Sequence, residues 1–180
     1  MYRSRNWQMA ALVTYALLAP PESQAGEQVP FKGRDCGPTY VASVDFGLGV
    51  VVLFGDAQGH STLLGRHFAR TTIIVDLISG AILSVSTTFY AANGDSITDV
   101  LNEILATPDP LTIVSRSSIV SGTGRFEGVQ GHFETTSRYD DVPILENLPV
   151  NSTNVWSGVI SSPGSNRRVV RSVPGAPFAD

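Results

Sequence analysis

The chain predicts an all-β fold, a single closed antiparallel β-barrel of about eight or nine strands. Three observations carry this. Short β-branched and apolar runs recur from about residue 30 to residue 161, divided by turn residues, with no helical periodicity after residue 26. The composition, with 17 glycines, 11 prolines and only 16% charged residues, suits a turn-rich sheet better than a helical bundle. Serial hairpins of this number hide their edges most simply by closing on themselves. At 180 residues the chain is one domain's worth and can bury a real core.

The first element is an address. Arg3 and Arg5 precede an apolar run, Met9–Ala19, which is followed by Pro20-Pro21 and then Ser23-Gln24-Ala25. A positive segment, an apolar one, a helix breaker and small residues, in that order, make residues 1–25 a signal peptide cleaved after Ala25. The product would be secreted or periplasmic. The run is too short for a transmembrane segment, which takes about 20 residues. The alternative is a short N-terminal lid helix packed on the barrel of a cytoplasmic protein.

Residues 26–166 then form the barrel domain. Val41–Val44 and Val50–Phe54 are strand-like, separated by Gly47 and Gly49. Ser61–Ala69 reads as a strand with Gly65 inside it, and Thr71–Leu77 as another that stops at a Ser79-Gly80 hairpin turn. Ala81–Ala91 alternates, with Leu83, Val85 and Phe89 on one face and Ser84, Ser86 and Thr88 on the other. Asn93-Gly94 predicts a type I′ hairpin. Ser96–Leu105 returns from it, Thr107–Pro110 turns again, and Leu111–Val120 leads into a glycine-dense segment. Gln130–Arg138 and Val155–Ser161 complete the set. Between these two, Tyr139–Asn154 is a long irregular connection. Residues 167–180, with Arg167, Arg168 and Arg171, read as a flexible solvated tail.

The charge excludes one class of partner. The formal net charge is −4 and Lys32 is the only lysine, whereas binding nucleic acid takes a clustered basic face. No cofactor is expected: the chain has no phosphate-cradling loop, and Gly122-Thr-Gly124 lacks both the spacing and the following helix of a dinucleotide site. No metal is expected either, since His60, His67 and His132 lie on separate turns or strands. Cys36 is the only cysteine, so no intramolecular disulfide forms. It is either buried or open to intermolecular pairing, which leaves a homo-oligomer among the expectations.

Between Ser121 and Gly131 the chain reads Ser-Gly-Thr-Gly-Arg-Phe-Glu-Gly-Val-Gln-Gly. Glycines at that density mark a tight turn followed by strand bends or close backbone contacts. The segment resembles the Gly-Gly-Thr-Gly-x-Phe-x-Gly-x-x-Gly signature of plant allene oxide cyclases, dirigent proteins and related small exported bacterial barrels. Leu64–Phe68 and Phe89–Asp95 resemble the same group. The resemblance implies a calycin-like barrel in which the motif shapes the wall and does no chemistry, and in which a loop near Tyr139–Asn154 can border the barrel mouth. In the cyclases a catalytic acid comes from an early strand. This chain has Tyr40–Val52 there, and Asp45 is the one carboxylate in that run.

Polar residues set among apolar strands supply the candidate site: Arg66, Tyr90, Glu103, Arg116, His132 and Glu134. Arg66 shares a strand face with Leu64 and Phe68, and Arg116 shares one with Val114 and Val120. A buried arginine needs a carboxylate, for which Glu103 or Glu134 would serve. If inward, the six would be the oriented polar groups of a ligand pocket; the same alternation equally allows them to face solvent. Three functions are compatible with this reading. The barrel binds a small hydrophobic ligand, or acts as a cyclase or isomerase on a reactive substrate held inside, or is a structural extracellular protein with a filled interior. An open or a plugged interior separates the first two from the third.

Overall fold

A computed structural model describes residues 27–143 and 145–164. Both the address at 1–25 and the tail at 167–180 lie outside the described residues. Eight strands run in chain order: β1 (Gln28–Asp45), β2 (Val50–Ser61), β3 (Gly65–Asp76), β4 (Ile82–Ala91), β5 (Ser96–Asp109), β6 (Thr112–Gly122), β7 (Gly131–Tyr139) and β8 (Val150–Ser161). Each pairs antiparallel with the next, and β8 closes on β1 from Gln28↔Ser161 to Thr39↔Val150. The predicted all-β closed barrel is therefore the fold, with no unpaired edge. No helix among the described residues is long and apolar enough to cross a membrane.

The turns are built by one repeated device, a short polar side chain that holds the loop and a glycine that supplies the left-handed residue. Asp45 Oδ1 accepts from the Leu48 amide at 2.9 Å, and Asp76 Oδ1 from the Ile78 and Ser79 amides at 3.0 and 2.7 Å. At Asn93-Gly94 the outcome differs from the type I′ turn expected. Only Gly94 has positive φ (+89°), while Asn93 accepts from the Asp95 amide through Oδ1. With Gly94 N–H on Ala91 O and Ala91 N–H on Asp95 O, this is the three-residue hairpin with a glycine bulge.

Several predicted boundaries move: β3 is continuous across the expected break at Arg70, β5 runs on to Asp109, and β8 begins at Val150. Ser61–Ala69 is not one strand: residues 62–64 form the β2–β3 turn, Ser61 Oγ accepts from the Leu64 amide, and Gly65 (φ +66°) leaves the turn. β1 runs unbroken through Cys36-Gly37-Pro38, although glycine and proline are common turn residues. Gly37 is there for contact, since a Cβ on it would lie 1.9 Å from the Asp56 carbonyl oxygen of the neighbouring strand. Cys36 is exposed on this strand.

The barrel has a closed end and an open end. At the closed end Phe31, Phe89, Phe133 and Trp156 interlock, with Phe31–Phe133 centroids 5.4 Å apart and Phe89–Trp156 5.2 Å apart. Each such pair contributes about 0.5–1.5 kcal/mol beyond its buried area. The glycine-dense segment seals this end. It makes a single 3-10 turn, Gly124–Phe126, which drives Phe126 and Val129 into the core beside Ile97 and Ile160. Its role is to plug the barrel's end as much as to shape the wall. The loops joining β1 to β2, β3 to β4, β5 to β6 and β7 to β8 surround the opposite, open end.

Candidate functional site

The interior above the aromatic plug is a cavity of about 130 Å³. That is close to the volume of a cavity that accepts benzene, roughly 150 Å³. Its floor is Phe89, Phe133 and Trp156, and a belt of hydroxyls rises above it, among them Thr39, Thr71, Thr87, Ser115 and Thr135. Ile73, Val85, Leu101 and Ile113 line it nearer the mouth, and Tyr139 stands where β7 meets the long loop. The upper interior is thus mixed, with small hydroxyl residues facing inward beside apolar ones while Val114 faces outward.

Two carboxyl groups enter this cavity. Asp35, on β1, lies beside Asn154 of β8, whose Nδ2 donates to Asp35 Oδ1 at 2.8 Å. Its other oxygen lies 3.6 Å from Nε2 of His67, and both side chains are buried. His67 Nδ1 is 3.2 Å from the Gly65 carbonyl oxygen. A carbonyl only accepts, so Nδ1 carries the hydrogen and Nε2 is the atom turned to Asp35. Asp99, on β5, pairs with Thr87 of β4 one inward step above Phe89. It is 4% exposed, and its Oδ1 has no hydrogen-bond partner among the described residues. Burial pushes its carboxyl up to about 7, against the opposing effect of the Ser117 hydroxyl. Trp156 Nε1 and His67 Nε2 are likewise buried without a hydrogen-bond partner. Among the described residues, no lysine, arginine or histidine side chain lines the cavity. Asp56, whose residue contributes to the wall, turns its carboxylate outward to Arg70 and the Tyr40 hydroxyl.

The sequence-derived candidates lie elsewhere. None of Arg66, Tyr90, Glu103, Arg116, His132 and Glu134 lines this cavity. Arg116 bridges Glu103 at 2.8 Å and Glu134 at 2.7 Å on the outer wall, with 40% of its side chain exposed. Arg66 and Tyr90 border a shallow outer depression with Phe68, whose ring stacks on Tyr90. His132 is exposed on β7. The inward placement considered for Arg66 and Arg116 is thus corrected. Leu64 sits in a turn, not on Arg66's strand face, and Phe68, Val114 and Val120 are outward residues. An apolar neighbour does not mark the inner face when the inner face is partly polar.

What the sequence reading missed is Asp35, Asp99, Asn154 and Trp156. A signal existed for Asp99: it stands between Ile97 and Leu101 on an alternating strand, a carboxylate on the apolar face. None existed for Asp35, masked by the turn-like Gly33, Gly37 and Pro38 around it.

No protein-family model and no curated protein matches the chain. Among solved structures the barrel is similar to that of a pterocarpan synthase dirigent protein. The TM-score is 0.48 at 12% sequence identity, over 84% of this chain and 94% of that one.

Proposed function

We propose that the protein binds a small, single-ring ligand in the open half of the barrel, with the ligand's polar groups meeting the hydroxyl belt and the two carboxyls. The single observation behind this is Asp99. An inward carboxyl with a free acceptor oxygen, buried above an aromatic floor, is costly unless something occupies the space before it. The lining argues for a ligand with more polar groups than the small hydrophobic one expected from the sequence. A plugged, purely structural interior is disfavoured, because the described side chains fill only the closed half. The order of segments in residues 1–25 supports export of the chain.

The test is ligand-observed NMR of the full chain against a library of single-ring fragments, repeated on Ser115→Phe, which fills the cavity. Binders displaced by that substitution are expected. A library with no such binder overturns the reading.

One observation favours a second reading, acid–base catalysis of an isomerisation or cyclisation. A carboxyl titrating near neutrality can deliver a proton to a bound substrate, and Asp35 on the facing wall can accept one. Turnover that Asp99→Asn abolishes while ligand binding persists would establish it; turnover unchanged in that variant would remove it.

A further inference from the structure

We propose that the ligand of this cavity is a small organic cation, a protonated amine carried on a single ring. This rests on the ligand-binding reading above and goes beyond it by fixing the ligand's charge.

The cavity's charge is one-sided. Two carboxyl groups, Asp35 and Asp99, face it, and among the described residues no basic side chain lines it. In an eight-stranded barrel closed in chain order, β1 and β5 are diametrically opposed, so the two carboxyls approach from opposite walls. An anion entering between them would meet repulsion and no counter-charge. A cation would meet both groups, and would give the free oxygen of Asp99 the partner it lacks.

The floor fits the same chemistry. Phe89, Phe133 and Trp156 present aromatic rings to the cavity, and ring faces attract ammonium groups, most strongly where water is excluded. The volume admits one ring of about benzene's size, with its substituent directed to the carboxyl belt. The approach is biased in the same direction. The open-end loops and the strand ends that carry them hold Asp45, Asp76, Asp109, Asp140, Asp141 and Glu146, against one basic residue, Arg138, next to the end of β7. Lys32, Arg34, Arg66 and Arg125 lie toward the closed end. Such a field concentrates cations at the mouth.

The mode of binding has a thermodynamic signature. Asp99 is protonated in the empty cavity below about pH 7. An ammonium placed against it favours the ionised carboxylate, so binding in that range releases a proton to the buffer. The other ionisable groups facing the cavity are Asp35, with His67 behind it, and Tyr139.

The experiment is calorimetric titration of the full chain with benzylamine, benzyl alcohol and benzoate, in buffers of different ionisation enthalpy. Benzylamine is expected to bind roughly tenfold or more tighter than benzyl alcohol. Benzoate should bind worst, and proton release on amine binding should fade above about pH 8. Asp99→Asn should keep the binding of benzyl alcohol and lose both the preference for the amine and the proton release; Asp35→Asn serves as a second variant. Equal or tighter binding of the alcohol or of benzoate overturns the cation assignment alone. Amine binding that Asp99→Asn leaves unchanged overturns it too. Failure of all three probes counts against the cavity-binding reading as well.

Discussion

Asp35 and Asp99 face each other across the barrel from β1 and β5, and their surroundings differ. Asp35 is held by the Asn154 amide and lies beside His67, whereas Asp99 Oδ1 has no hydrogen-bond partner and burial raises its carboxyl to about 7. Two like groups at one site are thereby given different tasks, one anchored in a polar network and one able to change charge near neutral pH.

That difference predicts a pH-dependent stability. The folded-state value of Asp99 lies above its unfolded value of about 3.9, so between about pH 4 and 7 the folded chain holds a proton that the unfolded chain has lost. Stability due to this group therefore falls as pH rises through that window, by up to about 1.4 kcal/mol per unit. Asp99→Asn removes the penalty. Urea midpoints should show the variant gaining on the parent at pH 8 relative to pH 5; parallel midpoints for the two proteins would contradict it.

Gly124→Val should destabilise the closed end strongly. Gly124 has φ +58°, and a Cβ there would lie 1.8 Å from Asp95 Oδ1. The backbone strain alone costs about 1–3 kcal/mol, before the clash. Thr123→Val is not a silent comparison, because Thr123 Oγ1 accepts from the Ser96 amide at 2.9 Å. Losing that bond costs about 1 kcal/mol. Chemical unfolding should rank Gly124→Val below Thr123→Val, and both below the parent. Equal midpoints for the two variants would show that the left-handed turn contributes nothing.

Arg66→Met and Arg116→Met should leave the affinity of any cavity ligand unchanged, since both guanidinium groups stand outside the wall. Titration of a fragment found by the NMR screen decides this. Weakened binding in either folded variant would move the site to the outer surface.

Mature protein recovered from the native host should begin at Gly26. Its N-terminal sequence is the measurement, and an intact Met1 on folded cytosolic material would end the export reading.

Much of the fold was legible because it is written locally. Gly49, Gly80 and Gly94 mark turns in the sequence and occupy them with positive φ in the structure. β-Branched runs such as Thr71–Val75 lie in strands wherever they occur, because their restricted side chains suit the pleat. Closure followed from strand number and the cost of open edges. The site was not legible in the same way. Which face of a strand points inward depends on register across neighbours, and a missed turn at Ser61–Gly65 changes the reading of a whole strand. The usual guide, apolar in and polar out, holds around Phe31 and Phe126 but fails in the open half, where Thr71, Thr87 and Ser115 face the cavity and Val114 and Arg116 face solvent. The sequence by itself determined the all-β class, several of the turns and the closed barrel, because these follow from local conformational preference and the burial of edges. Only the tertiary structure decided that Asp35 and Asp99 line one cavity, because strands distant in the chain enclose a common interior only when the sheet closes.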